Sequence, residues 1–259
     1  MKAKKSYGQH FLTSEEITSN IANAFLMPHR NVLEIGPGRG MLTKYLLEKD
    51  YQLLVVEADR DMVRFLKKNF PALKDNIISA DFLKIPLSPL FQEEPFALIG
   101  NFPYNISSQI LFKMIEHKAL IPEMVGMFQR EVAERVIALP GSKSYGVLSV
   151  LVQAWYEGEY LFTVDKSHFN PPPKVQSGVI RLQRKDIDDI GCDEKRFRAI
   201  VKQAFSQRRK MLRNTMKPFL SGNALLDEPF FTQRPERLSV DDFIQLTNWV
   251  EKHNEHTKK

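Results

Sequence analysis

One cysteine, Cys192, stands among the 259 residues. An internal disulfide is therefore excluded, no cysteine cluster can hold a metal, and Cys192 reads as a passive thiol. The chain also lacks an uninterrupted apolar run long enough to span a membrane. Its first residues, Met1-Lys2-Ala3-Lys4-Lys5, are basic, but no apolar segment of signal-peptide type follows them. These absences lead us to expect a cytoplasmic protein with no membrane partner and no metal. A further absence is local: no Asp or Glu occurs between Lys195 and Lys217. That stretch is either a solvated basic face or a surface that contacts phosphates. The net charge of +6 makes a polyanionic partner plausible without establishing one.

What is present is an ordinary globular composition, 43% hydrophobic and 26% charged. The length suits one large domain or a large and a small one. Asn31-Val32-Leu33-Glu34-Ile35 reads as a core strand, Gly36-Pro37-Gly38-Arg39-Gly40 as a tight turn and 41–47 as a helix. Strand, Gly-rich turn and helix open a nucleotide-binding Rossmann-like sheet. A second strand, 52–56, ends at Glu57, about 20 residues beyond the turn, where a carboxylate can accept from ribose hydroxyls. The acidic Glu34 before the turn would repel a pyrophosphate and suits a cationic sulfonium nucleoside, S-adenosylmethionine, better than a dinucleotide. Asp81, after a short strand at 76–80, can accept from an adenine amino group or cap a helix.

The apolar run 96–100 is a further strand, and Asn101-Phe102-Pro103-Tyr104 arrives at its end. Ligands bind at strand ends in open α/β sheets. This tetrad suits alkylation of an aromatic amine. The Asn101 oxygen and a backbone carbonyl can accept the two N–H groups of an adenine amine and favour a more tetrahedral, more nucleophilic nitrogen. Pro103 fixes its own φ and helps aim a carbonyl. Tyr104 supplies a flat face for an unstacked base.

Elsewhere, Thr13 or Ser14 caps a helix, as does Ser107 or Ser108. Helices are expected at 60–69 and 129–136 and a strand at 123–128. Val147 to Tyr156 reads as a long strand and Gln176 to Leu182 as the last. Two such strands without a clear helix between them imply an antiparallel pair on a mostly parallel sheet. Polar and acidic residues at 184–193 mark a domain boundary, giving domains 1–184 and 185–259. Beyond it Phe197, Ile200, Val201, Ala204 and Phe205 form a helical stripe. Ser239 caps a last helix.

Taken in order, several motifs resemble those of the ribosomal RNA adenine dimethyltransferase family, bacterial small-subunit type. They are Gly-Gln-His-Phe-Leu at 8–12, Val-Leu-Glu-Ile-Gly-Pro-Gly-Arg-Gly-Met-Leu-Thr at 32–43, Val-Glu-Ala-Asp at 56–59 and Ala-Asp-Phe-Leu at 80–83. Asn-Phe-Pro-Tyr-Asn-Ile-Ser-Ser at 101–108, Phe-Gln-Arg-Glu-Val-Ala-Glu-Arg at 128–135, Phe-Asn-Pro-Pro-Pro-Lys-Val at 169–175 and Arg-Arg-Lys-Met-Leu-Arg-Asn at 208–214 complete the set. The resemblance implies a Rossmann-like methyltransferase sheet with a small C-terminal helical domain. It places S-adenosylmethionine against His10, Leu12, Gly36, Gly38, Glu57, Asp81 and Asn101. Asn101 and the Pro103 carbonyl would hold the target amine, Tyr104 would stack on the base and Phe169 would cover its other side. Lys4, Lys5, Lys202, Arg208, Arg209, Lys210 and Arg213 would hold RNA.

The implied reaction is dimethylation of two adjacent adenosines in a hairpin near the 3′ end of small-subunit ribosomal RNA, by a monomer acting on a pre-assembled subunit. Two positions depart from the family pattern: His10 stands where Asn is commoner, and Phe102, in place of Leu or Ile, is expected to narrow the pocket. The rivals are the large-subunit enzymes of macrolide resistance, a DNA adenine methyltransferase, a catalytically silent RNA-binding assembly factor and a nicotinamide oxidoreductase.

Overall fold

The computed structural model describes residues 4, 7–73, 75–220, 222 and 224–257, with backbone only for 254–257. Two compact units emerge: Met1–Glu134 with Glu157–Arg184, and Arg135–Tyr156 with Lys185–Lys259. One division thus falls at 184/185, and residues 135–156 group with the C-terminal segment.

The strands, in chain order, are β1 (Phe11–Leu12), β2 (Asn31–Ile35), β3 (Gln52–Glu57), β4 (Ile77–Ser79), β5 (Ala97–Asn101), β6 (Glu123–Gln129), β7 (Tyr156–Val164), β8 (Phe169–Asn170) and β9 (Ser177–Arg184). The helices of the first unit are α1 (Glu15–Ala22), α2 (Met41–Leu46), α3 (Arg60–Asn69) and α4 (Ser107–Glu116), and α5 (Arg130–Val136) runs across the division. Seven strands form one sheet in the order β4-β3-β2-β5-β6-β9-β7. β4 to β6 of that order are parallel, and β9 runs antiparallel to β6, from Glu123↔Gln183 to Gln129↔Ser177. The chain winds outward from β2 to β4, then returns to lay β5 on the other side of β2. The order reverses between β2 and β5, the switch point where open sheets bind ligands. Every residue of β2 is buried, as expected of a parallel strand covered on both faces. β1 and β8 pair separately, with Phe11 opposite Asn170 and Leu12 opposite Phe169.

Ser14 caps α1, its hydroxyl accepting from Ile17 N, while the Thr13 hydroxyl donates to His168 O at 3.0 Å. Neither serine caps α4. Ile106 holds that position, and Ser107 donates backward to Tyr104 O at 2.9 Å. The Phe102 ring is 1% exposed and lies in space left by two glycines, and the residue lines the cavity described below. A Cβ at Gly126 would come within 2.3 Å of that ring, and one at Gly100 within 2.6 Å of Ile35 O. The ring then meets Phe128 edge-on at 5.1 Å.

Glu123, fully buried at the start of β6, accepts from Leu26 N at 2.7 Å, Met27 N at 3.2 Å and His29 Nε2 at 2.6 Å. Burial works against its charge, but the His29 bond and the two backbone donors win and hold its pKa below the ordinary 4.5. A depressed carboxylate stabilises the fold above its unfolded pKa and loses that contribution as pH falls through the lower folded value. Glu123→Gln is expected to cost about 1–3 kcal/mol at neutral pH, because a buried donor loses its acceptor. Chemical denaturation as a function of pH should also show a flatter acid limb than in the parent. An unchanged limb would put the acid sensitivity elsewhere.

In the second unit lie α6 (Val147–Gln153), α7 (Glu194–Ala204), α8 (Leu212–Thr215), α9 (Lys217–Leu220) and α10 (Val240–Thr257). The strand expected at 147–156 is a helix as far as Gln153, and the strand begins only at Tyr156. Leu148 to Val152 are all buried, so no polar face reveals the helical period, and a short apolar run reads either way. The α7 stripe is buried as expected at Phe197, Ile200, Val201 and Ala204, and Phe205 follows the helix and stacks on Phe243 at 5.7 Å. Ser239 forms a reciprocal cap with Asp242.

Candidate active site

A cavity of about 770 Å³ opens at the switch point, lined by the ends of β2, β3 and β5, the loop after β4 and residues 7–13. Its floor is the Gly-rich turn. Gly38 and Gly40 have φ of 54° and 75°, conformations that side chains rarely adopt. A Cβ at Gly40 would lie 2.3 Å from the Phe70 ring, and one at Gly38 3.1 Å from Phe11. The turn is tied to β3 by Glu57, 6% exposed, whose Oε2 accepts from Gly38 N at 3.1 Å and Oε1 from Asp59 N at 2.8 Å. Burial pushes the Glu57 pKa up, against those backbone bonds. Glu34 is 1% exposed in the same wall and accepts from Thr43 Oγ1 at 2.7 Å. At the next strand end, Asp81 Oδ1 accepts from Leu83 N at 3.0 Å, a bond within a turn and not a helix cap, since no helix follows directly; the residue also lines the cavity.

At the end of β5, Asn101 Nδ2 donates to His10 O at 3.0 Å. A carbonyl can only accept, so this contact fixes which way the amide points and leaves its oxygen as a free acceptor. Pro103 O takes Ile106 N at 3.2 Å and retains a second lone pair. Tyr104 is pinned by its hydroxyl to Ser177 Oγ at 2.5 Å and by its own carbonyl to Ser107. Burial pushes its pKa up, so it stays a neutral phenol. The His10 ring stacks on Tyr104 with centroids 5.5 Å apart, and its Nδ1 meets Pro171 O at 2.8 Å.

The expected site residues are therefore largely brought together: His10, Leu12, Gly36, Gly38, Glu57, Asp81, Asn101, Pro103 and Tyr104 all line one cavity. Phe169 does not. It is 4% exposed, packed in the core and paired with Leu12 across β1 and β8, and the ring facing Tyr104 is His10.

Lys4 is engaged elsewhere than expected, with Nζ 2.6 Å from both Asp59 Oδ1 and Asp61 Oδ2. Those bonds raise its pKa to about 12. Although burial disfavours charge on Asp59, the bonds from Lys4, Asp61 N and Gln9 hold its carboxyl below the usual range. Lys5 lies outside the described residues. In the second unit Lys202, Arg208, Arg209, Lys210 and Arg213 are all exposed. The helix breaks after Ala204, so 208–210 sit in the turn before α8. Arg208 also donates to Ser142 O at 3.2 Å.

Four positioning groups were not picked out from the sequence: Gln9, which bonds Asp59 at 2.9 Å, and Thr43, Ser177 and Lys113. Lys113 of α4 is 8% exposed and donates to Phe82 O and Ile85 O at 2.6 Å, clamping the loop after Asp81. Gln9 and Thr43 lie inside the motifs at 8–12 and 32–43 and could have been found there. Ser177 and Lys113 act across 28 to 73 positions with no local pattern to mark them. Among the described residues no group of three His, Cys, Asp or Glu could hold a metal, and no helix is long and apolar enough to cross a membrane.

Compared with known proteins, residues 1–252 match the family described as ribosomal RNA adenine dimethylase. The chain is 54% identical to the ribosomal RNA small subunit methyltransferase A of Bacteroides thetaiotaomicron, over 97% of this chain and 95% of that one. Among solved structures it is similar to a dimethyladenosine transferase from Plasmodium falciparum, with a TM-score of 0.78 and 27% identity over 94% of this chain and 98% of that one. The 23S rRNA methyltransferase ErmE aligns with a TM-score of 0.66 and 26% identity over 92% and 99%.

Proposed function

The chain belongs to the ribosomal RNA adenine dimethylase family, and from that premise we propose that it dimethylates the exocyclic amine of two adjacent adenosines in small-subunit ribosomal RNA. The finer reading is a monomer that works in the cytoplasm on the hairpin near the RNA 3′ end, within a pre-assembled subunit. The observation that carries the chemistry is the orientation of Asn101, whose nitrogen is spent on His10 O and whose oxygen is left for a substrate amine at the mouth of the cavity.

The cavity wall suits S-adenosylmethionine. Gly36, Gly38 and Gly40 give the turn a backbone conformation that side chains rarely adopt, Glu57 stands at a strand end to meet ribose hydroxyls, and two buried carboxyls favour a cationic ligand. His10, Leu12, Gly36, Gly38, Glu57 and Asp81 would hold it. When bound, the cofactor supplies an electrophilic methyl group on a cationic sulfur. The protein's part is to position the amine. The Asn101 oxygen and Pro103 O accept its two N–H groups, draw the lone pair out of the ring plane and aim it. Tyr104, held by Ser177 and Ser107, supports the base from one face. After the first methylation one N–H remains, and a single acceptor can still direct the nitrogen. The exposed cations from Lys202 to Arg213 would hold the RNA backbone. Lys4 is clasped by Asp59 and Asp61 instead.

Labelled methyl transfer to small subunits lacking the modification, with large subunits in parallel, tests this reading. Dimethyladenosine in small-subunit RNA alone supports it. Label in large-subunit RNA would move the protein to the resistance type, and cofactor binding without transfer to either would point to a silent assembly factor.

Lys113 provides a second check. Lys113→Met keeps the apolar stem and removes the clamp on the Asp81 loop. It is expected to weaken S-adenosylmethionine about tenfold, since a hydrogen bond from a charged group is worth about 1.5–3 kcal/mol. Calorimetric titration reads the loss, and unchanged affinity would show that the loop holds itself.

A further inference from the structure

Glu34 is assigned no contact with a reacting group above, yet its carboxyl is buried in the cavity wall. It projects from β2 beneath the Gly-rich turn, where Thr43 of α2 donates to it at 2.7 Å. Among the described residues it has no ion-pair partner. The other titratable or charged groups lining the cavity are Glu57 at the end of β3, Asp81 after β4, Arg39 in the turn, Lys44 of α2, and Tyr7, His10 and Tyr104. Lys44 is paired with Glu15, and Arg39 lies 4.4 Å from the Phe11 ring centre. Of these groups Glu57 is the one whose charge acts on Glu34, and it acts against ionisation. A second carboxylate and burial thus surround an acid that a cation entering the cavity would relieve.

We propose that Glu34 distinguishes the cationic cofactor from its neutral spent form, releasing a proton when the cation enters and taking one back after the methyl group has gone. The inference rests on the S-adenosylmethionine reading above. In the empty cavity burial pushes the Glu34 pKa up to about 8, opposed by the Thr43 bond and reinforced by Glu57. At neutral pH the group is therefore mostly an uncharged acid. Entry of a sulfonium favours the carboxylate, and the proton goes to solvent. In the transfer, the adenine nitrogen bonds to the methyl carbon and the carbon–sulfur bond breaks, leaving its electron pair on sulfur. The nitrogen then loses a proton. Sulfur is now neutral, Glu34 again faces Glu57 alone, and it takes up one proton. One proton leaves on binding, one leaves the amine and one returns, which balances the single positive charge lost by the cofactor. By linkage, a ligand that favours ionised Glu34 is itself favoured by it.

The test is calorimetric titration of S-adenosylmethionine and S-adenosylhomocysteine in phosphate and in Tris, whose different ionisation heats reveal the protons exchanged. At pH 7 the methylated form should release about 0.9 proton, the fraction of an acid of pKa about 8 that is protonated there. The spent form should release close to none, and the difference should vanish by about pH 9.5. Glu34→Gln keeps an acceptor for Thr43; it should abolish the release and reduce the preference for S-adenosylmethionine by about tenfold or more, because near-complete release at pH 7 needs the Glu34 pKa to fall by about two units or more, about one of which is spent on ionising the acid. Thr43→Val removes the donor that favours the carboxylate and should move the disappearance of proton release to higher pH, which keeps the inference testable if Glu34→Gln does not fold. Equal release with both ligands, release surviving Glu34→Gln, or release lost in His10→Asn instead would overturn the role of Glu34 while leaving the cofactor reading intact. Failure of both ligands to bind would overturn the cofactor reading and the inference with it.

Discussion

Replacing Asn101 with alanine is expected to lower the rate of methyl transfer by about 10²–10³-fold, the usual cost of removing one preorganised hydrogen-bonding group aimed at the reacting centre. RNA affinity should stay within about twofold, because the amide meets one nucleotide of an interface carried mainly by phosphate contacts. The fold should survive. Asn101 also holds His10 O, and losing that bond costs about 1 kcal/mol. The neighbouring chain remains anchored by the β1–β8 pairing and by Lys4 on Asp59 and Asp61. Single-turnover transfer, RNA binding and a thermal melt on the same preparation separate the three effects. A loss in transfer with unchanged binding identifies an interaction made in the transition state. A parallel loss of RNA affinity would instead make the tetrad part of the RNA-holding surface, and the amine would need another acceptor.

The parts of this fold that were legible in the sequence are those whose physics is local. β2, β3, β5 and β6 are largely buried runs of the right length, and the Gly-rich turn announces itself by composition. The Gly-rich turn, Glu57 and the Asn101 tetrad each stand at a strand end, where open sheets bind ligands, so the site could be located before its walls were seen, whereas the pairing of β5 with β2 is read only from the structure. Legibility failed where burial erased the pattern, as at Leu148–Val152, whose helix shows no polar face. It failed again where a residue's role depends on a distant partner. Lys4 reads as one of several basic residues until Asp59, 55 positions away, is brought beneath it. Ser177 is an unremarked strand residue until Tyr104, 73 positions earlier, puts a hydroxyl against it. Phe169 illustrates the converse: a motif places it near the site, and packing turns its ring into the core.

Neutralising Arg208, Arg209 and Lys210 together is expected to weaken RNA binding by about 10²-fold near 0.1 M salt and to reduce the slope of log affinity against log salt by roughly two to three. All three are exposed, lie in the turn between α7 and α8, and belong to a stretch free of acidic residues, so no carboxylate of that stretch can compete with phosphate for them. Each phosphate neutralised releases condensed counterions, and that release gives the salt slope. A generic effect of net charge must be told apart from a specific surface. Lys67 and Lys68 supply the control: they are exposed in the last turn of α3, in the first unit, and their removal also lowers the net charge. If the triple variant flattens the slope and the Lys67/Lys68 variant does not, phosphates are held in the α7–α8 turn. Equal shallow losses in both would mean that the basic stretch contributes only to the long-range field, and the RNA-holding surface would then have to be sought on another face. Asn101→Ala and the triple variant should fail in complementary ways, the first bound but unreactive, the second reactive once RNA is present in excess. That pattern is the signature of a cavity that does the chemistry and a basic turn that holds the substrate.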